Sequence, residues 1–421
     1  MENKNVLVVG SGISGVASAL ELANAGVSVY LVEKEAVVGG HSASFCCKAT
    51  DICAKCSACV VLDKIKEAII HPRIKLLTNS TIKRLSGELG SFHVEIVQQP
   101  RYVDRERCIA CGLCTEVCPA DPKAICPPSA GATPFSYILD EGLCLRSKGE
   151  RCDLCQKSCP TKAIEFEVKP KEQELTVGAV IVATGFDVFD ARAKGSLGYG
   201  RYPNVLTGLD LEQIFARKGY LRLPTSDKEP HNIAFIQCVG SRDTGHGYCS
   251  QVCCKYAMKL GGLIKYQSPD TQVTIFYIDL QTAGKGFAQF YEDYKKSIRF
   301  IRGVPVEILE TASGELEVRF EDISQGKVCR DTFDLVILSV GISPGKDSWD
   351  LARVLGINLS DDGFFAEKDC FSSNGTNVDG IFVAGACQSP RDIPDSIAHG
   401  IAAASKAMQV LAESASRRRN N

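Results

Sequence analysis

Residues 5–33 read NVLVVGSGISGVASALELANAGVSVYLVE, and this stretch decides the fold. The run 5–10 is short and apolar, as a buried strand requires. Glycines follow at 10, 12 and 15, then a helix-patterned run from Val16 to Asn24 and a second apolar run, Val27 to Val32, ending at Glu33. Strand, GxGxxG turn, helix, strand and acidic residue in this order make the dinucleotide fingerprint. Gly10 permits the tight turn, Gly12 lets the backbone approach a pyrophosphate, and Gly15 lets helix and strand pack closely. Ile13 and Ser14 open the helix, whose N-terminus faces the anionic phosphates. Glu33, followed by Lys34, can accept hydrogen bonds from a ribose. The plainer reading is a glycine-rich turn in an unliganded sheet.

A second stretch carries a different chemistry. Cys108, Cys111, Cys114 and Cys118-Pro119 have the bacterial ferredoxin spacing, and Cys152, Cys155 and Cys159-Pro160 supply the last part of another copy. Cys144 stands farther upstream of Cys152 than the common run places it. In such folds three cysteines of one run and the last of the other hold each cluster. One [4Fe-4S] cluster is therefore expected on Cys108, Cys111, Cys114 and Cys159, the other on Cys144, Cys152, Cys155 and Cys118. Zinc or structural disulfides are the other readings. Cys126 has no evident partner.

Between these two stretches lies Gly39-Gly40-His41, then Cys46, Cys47, Cys53, Cys56 and Cys59. Flavoproteins of the two-dinucleotide-domain type resemble this chain in placing a Gly-Gly pair beside the pyrophosphate, which favours FAD over NAD. His41 either meets phosphate or flavin or is a satisfied loop histidine. Cys53, Cys56 and Cys59 can converge on one metal if their segment is a loop, since on a regular helix positions i and i+6 diverge. A third cluster is expected there, with Cys46 or Cys47 as fourth ligand. The alternative is a redox-active pair at Cys53–Cys59, as in an NAD(P)H-dependent disulfide reductase.

The composition is globular: 421 residues, 45% hydrophobic, formal net charge -2 and 21 cysteines. The charge gives no argument for nucleic acid, and no apolar run reaches the length of a membrane span. The chain opens Met-Glu-Asn-Lys and passes directly into the first strand. Cysteines in such number without an export signal point to metal ligation in a reducing, cytoplasmic and anaerobic setting.

A return strand is expected at Gly178 to Gly185, with Ala183, Thr184 and Gly185 beside the cofactor, so the ferredoxin element is an insertion in the first domain. A second α/β unit begins at residues 231–239. Its turn, Cys238-Val-Gly240-Ser-Arg242, breaks the glycine pattern, so nicotinamide binding is doubtful. Cys249, Cys253 and Cys254 can ligate, sit against a flavin, or be small buried hydrophobes. Near the end, Gly385-Ala386-Cys387 stands where related flavoproteins have Gly-Asp, and a helix from Ile393 points its positive end at the flavin. The expected divisions are 1–99 and 169–230 with 346–421 for the FAD domain, 100–168 for the insert and 231–345 for the second domain.

Four pieces carry a resemblance: GGHS (39–42) with cysteines after it, PRYVD (100–104), IQCVGSRD…YCSQVCCKYA (236–257) and AGACQSPRDIP (384–394). With them the chain resembles the A subunit of heterodisulfide reductase and its relatives, among them the shorter A subunit of the quinone-interacting oxidoreductase complex. The resemblance implies an FAD flavoprotein of thioredoxin-reductase-like fold with an inserted two-cluster ferredoxin element. It implies an oxidoreductase subunit that passes electrons between flavin and clusters, with electron bifurcation as the finer expectation. Implied partners are heterodisulfide reductase B- and C-like subunits, hydrogenase- or dehydrogenase-linked proteins, and ferredoxin. In that family Gly-Ala-Cys near the end is usual, and so is a degenerate second nucleotide site.

Overall fold

A computed structural model describes residues 5–128, 136–281 and 284–419. The first apolar run is the central strand Val6–Val9 of a five-stranded parallel sheet. Its neighbours are Val29–Val32 and Ala179–Val182, with Ile74–Leu77 and Ile381–Val383 at the edges. Both faces are covered, which is why these strands read as unbroken apolar runs.

On one face the helix Ile13–Asn24 packs against the long helix Ile393–Arg419. Small residues make that approach close: Ser14 Oγ donates to the Ser396 carbonyl at 2.7 Å and Ser18 Oγ to the Gly400 carbonyl at 2.8 Å. The other face meets a three-stranded antiparallel meander, Ser80–Glu88, Ser91–Gln98 and Lys171–Val177.

Gln98 pairs with Lys171, so the chain leaves and re-enters the meander at one point. What lies between is the cysteine-rich insert, closed by a bridge between Val103 and Ile164. It has a small core of its own, made by Val103, Ala124, Ile125 and Ile164 with Cys114, Cys118, Cys144 and Cys155.

The second sheet is also parallel, in the order Val205–Thr207, Leu335–Val340, Asn232–Val239, Gln272–Tyr277, Arg299–Arg302. The strand Val205–Thr207 and the helix Gly208–Lys218, expected in the first domain's 169–230 segment, belong here instead. Val205 pairs with Val336, and Leu211 and Phe215 pack with the second sheet's Ile233, Phe235 and Ile337. Among the described residues no helix is long and apolar enough to cross a membrane.

Candidate functional site

At the carboxyl ends of the first sheet lies a cavity of about 1090 Å³, the size class of a large cofactor site. Its middle is built from the glycine turn. A Cβ on Gly15 would lie 1.9 Å from the Gly10 carbonyl oxygen, and one on Gly10, whose φ is +99°, 2.4 Å from the Ala183 carbonyl oxygen. Strand, helix and return strand therefore touch backbone to backbone. Gly12 differs: a Cβ there would meet nothing within 4 Å, because it points into the cavity wall's open side. Gly12 is the N-cap of Ile13–Asn24 and no side chain caps that end, so its amides are free for an anion.

Gly40 comes against Gly12, its own Cβ position lying 3.3 Å from the Gly12 Cα, and Gly39 bridges Gly12. Glu33 is buried at 7% exposure. Its Oε2 accepts from the Ser11 amide at 2.8 Å and hydroxyl at 2.6 Å, and its Oε1 from the Glu35 amide at 2.9 Å. Lys34 lines the same end but turns its ammonium to Asp347 at 2.7 Å. The donor set, the bare helix end and the cradle that a Cβ would fill all fit a dinucleotide.

His41 joins the two readings made of it: it lines the cavity, yet its Nε2 lies 3.0 Å from the Phe186 carbonyl and its ring rests on Phe186. Ala183, Thr184, Gly185, Ala386 and Ile393 also line the cavity. Gly385 does not; its amide donates to His399 Nδ1 at 2.9 Å. Burial, with Arg391 nearby, pushes His399 down to about 4. A depressed pKa means that the folded state favours the neutral ring. Its contribution is present above the unfolded value of about 6.5 and is lost as pH falls through 4, up to about 3 kcal/mol. Denaturant melts of wild type and His399→Gln at pH 7 and 4 should show that pH loss only in the wild type.

Cys118, Cys144, Cys152 and Cys155 border one small cavity with Pro119, Ile125, Leu139 and Phe166. Cys144 reaches it because the extra residues before Cys152 are taken up in turns, with Lys148 N–H bonded to the Cys144 carbonyl and Glu150 N–H to that of Leu145. Cys108 and Cys111 lie close enough to Cys114 for their charges to raise its thiol pKa. Burial raises the Cys114 and Cys155 thiols to about 11, so forming thiolates there calls for a bound cation. Cys159 is lowered: burial opposes this, but Thr161 and the Ala163 amide, 3.3 Å from Sγ, outweigh it. Cys126 is exposed.

Cys53 and Cys56 lie in a loop with left-handed turns at Lys55 and Ser57, and Cys59 sits in the first turn of the helix Ala58–Ile70. Cys47, Cys53 and Cys59 are exposed, while Cys56 lines the large cavity. Cys46 points elsewhere, into the second domain's core. Among the described residues no three His, Cys, Asp or Glu side chains converge on a single metal ion.

Two features escaped the sequence reading. Cys238, from the broken glycine turn, joins the other three thiols: Cys238, Cys253 and Cys254 lie close enough to shift one another's ionisation, and Cys249 feels the charges of Cys238 and Cys254. The neighbouring Cys253 thiol lowers Cys254 to about 7 and Cys238 in the same direction. Cys253 also lines the large cavity. The signal was the Cys-Cys pair at a helix start with a cysteine at the preceding strand end. The second feature is Phe189. A Cβ on Gly240 would lie 2.1 Å from its ring, with His246 edge-on to Phe189 and Tyr248 edge-on to His246. Side chains thus fill the space where a second dinucleotide would approach the turn.

Comparison with known proteins agrees with this architecture. A model of the pyridine nucleotide-disulphide oxidoreductases matches residues 150–409, one of FAD-dependent oxidoreductases 5–95, and one of 4Fe-4S binding domains 101–122. The iron-sulfur A subunit of the CoB--CoM heterodisulfide reductase of Methanocaldococcus jannaschii is 41% identical, over 96% of this chain and 64% of its own. The iron-sulfur A 2 subunit of the Methanopyrus kandleri enzyme is 43% identical over 96% and 64%. The A subunit of the H(2):CoB-CoM heterodisulfide,ferredoxin reductase of Methanothermobacter thermautotrophicus is 39% identical over 95% and 63%. The chain thus spans a little under two thirds of the length of these relatives. The thioredoxin reductase structures of Lactococcus lactis (TM-score 0.54) and T. acidophilum (TM-score 0.52) share the fold at 15% identity; they cover 97% and 98% of this chain, which covers 99% of each. The chain is similar to the A subunits of heterodisulfide reductase, and it belongs to the pyridine nucleotide-disulphide oxidoreductase family.

Proposed function

We propose that the chain is the FAD- and iron–sulfur-containing electron-transfer subunit of a heterodisulfide-reductase-like complex. The observation that carries this is the single cavity with a dinucleotide cradle whose ends meet cysteine-bearing segments. At the Glu33 end it is lined by Ile138 of the insert, and Arg101 Nη1 donates to the Ala36 carbonyl at 2.8 Å. At the other end stand Cys56 and Cys253. FAD, when bound, supplies two-electron redox chemistry, and thiolate-held iron supplies one-electron steps.

Gly10, Gly12, Ile13, Ser14, Gly15, Glu33, Gly39 and Gly40 hold the dinucleotide in this reading, with Ala183 to Gly185 and the Gly385–Ala386 turn closing over it. Cys108, Cys111, Cys114 and Cys159 form one ligand set, and Cys118, Cys144, Cys152 and Cys155 a second. Cys47, Cys53, Cys56 and Cys59 form a third. Cys238, Cys249, Cys253 and Cys254 make a fourth set of the same ligand type. The insert sits at the Glu33 end, so the two sets at the opposite end are the nearer neighbours of a flavin ring lying by Ala386 and Ile393. Partners are B- and C-like subunits, hydrogenase- or dehydrogenase-linked proteins and ferredoxin, in the cytoplasm, and splitting of an electron pair between two acceptors is the finer activity.

Anaerobic purification should return one FAD per chain. Iron at about eight per chain supports the insert alone, about twelve a third set and about sixteen all four. Cys155→Ser should remove about four irons and leave FAD in place. Absence of FAD, or flavin reduction that never leads to cluster reduction in rapid mixing, would sink the proposal. The disulfide-reductase alternative requires NADPH. With Phe189 on Gly240, NADPH added to the protein alone should leave the flavin absorbance unchanged.

A further inference from the structure

The strand Asn232–Val239 carries one extra residue against its neighbour: Ile236 pairs with Leu338, and the next pair is Val239 with Val340. Gln237 therefore stands beside Ser339, each one residue past a paired position. On parallel strands such neighbours share a face. That face is the one on which Phe235 and Ile337 pack with Cys254 and Ala257. Gln237 and Ser339 are 4% and 3% exposed. Neither the amide nitrogen and oxygen of Gln237 nor the hydroxyl of Ser339 has a hydrogen-bond partner in the protein. A buried amide and hydroxyl without partners each carry an uncompensated desolvation cost. Such groups in a native fold point to something that they bind. Ser339 and Cys253 line the same cavity, and Gln237 directly precedes Cys238.

We propose that Gln237 and Ser339 are positioning and tuning residues that donate hydrogen bonds to the sulfur atoms of an iron–sulfur centre on Cys238, Cys249, Cys253 and Cys254. The proposal rests on the reading of those thiols as a ligand set. A donor aimed at sulfur favours the more negative, reduced centre and so raises its potential. The bulge has a purpose on this view: it turns Cys238, at φ +60°, into the thiol group while the next-door amide stays on the same side.

The test uses the full chain, purified anaerobically, with iron analysis and a redox titration followed by electron paramagnetic resonance. Cys253→Ser identifies the centre by the loss of about four irons and one signal. Gln237→Leu and Ser339→Ala should each keep full iron and shift that signal's midpoint downward, about tenfold in the oxidised-to-reduced ratio, or about 59 mV for one electron. The other centres should not move. If Cys253→Ser loses no iron, the ligand reading fails and the proposal with it. If iron is lost there but Gln237→Leu and Ser339→Ala leave the midpoint in place, the ligand set stands and the tuning role is overturned. A gain in stability without a shift in potential overturns the tuning role in the same way, since it marks the two groups as merely structural.

Discussion

Gly12→Ala should fold as well as wild type and retain no FAD, whereas Gly15→Ala should lose both cofactor and fold. The two glycines are three residues apart in one turn, and the structure separates their roles. Gly12 has φ -64° and ψ 176°, a backbone open to any residue, and a Cβ there would meet nothing within 4 Å. A methyl group costs the fold nothing but stands between the bare helix end and the pyrophosphate it faces. At Gly15 the same methyl would lie 1.9 Å from the Gly10 carbonyl oxygen and 3.3 Å from the Ala183 Cβ. Backbone cannot swing aside, so helix and sheet must part. Overpacking of this kind costs about 1–3 kcal/mol or more. The helix cannot retreat freely, since Gly400 of the long helix packs against Ser14 on its other side. Thermal melts with FAD release after denaturation measure both effects. Gly12→Ala protein that keeps stoichiometric FAD would overturn the role given to this turn.

The difference between what the sequence reveals and what it hides is one of range. The glycine turn is legible because its residues are near in sequence, and the place of Glu33 because the strand–helix–strand pattern sets the pairing that brings it to Ser11. Cys144 borders the same small cavity as Cys118, Cys152 and Cys155 despite its odd spacing, because local turns absorb the extra residues. The strand Val205–Thr207 lies in the expected 169–230 segment yet pairs in the second sheet, since a three-residue strand has no periodicity and its pairing with Val336 is decided across more than a hundred residues. Phe189 on Gly240 and Cys238 with Cys253 are likewise tertiary facts. The broken glycine pattern announced that the second site had changed, but nothing local said what now fills it.

The least legible feature is also among the costly ones to lose. Lys48→Met is expected to destabilise the protein by about 3–5 kcal/mol, the usual result of stranding one member of a buried ion pair. Lys48 and Glu212 are paired at 4% and 0% side-chain exposure. Glu212 Oε2 accepts from the Cys46 amide at 2.7 Å, and Lys48 Nζ donates to the Cys46 carbonyl at 3.2 Å. The ammonium also lies 5.5 Å from the Phe45 ring centroid and 5.6 Å from that of Tyr256. Burial, and then the Glu212 charge, holds the Tyr256 hydroxyl far above its usual range, so that it stays a neutral donor. Lys48 comes from the cysteine loop of the first domain, while Glu212 and Tyr256 stand on helices of the second. The pair thus fastens the loop bearing Cys47, Cys53 and Cys56 to the other domain, with Tyr266 bonded to Asp51 at 2.9 Å farther along. Removing both charges with Lys48→Met and Glu212→Leu leaves no carboxylate stranded, so the double variant should be more stable than Lys48→Met alone. That non-additivity is the mark of direct coupling. In the single variant, alkylation of Cys53 and Cys56 in metal-free protein should quicken as the loop loosens. An unfolding free energy within about 0.5 kcal/mol of wild type for Lys48→Met, the range of an ordinary surface change, would show that the loop is held by other means.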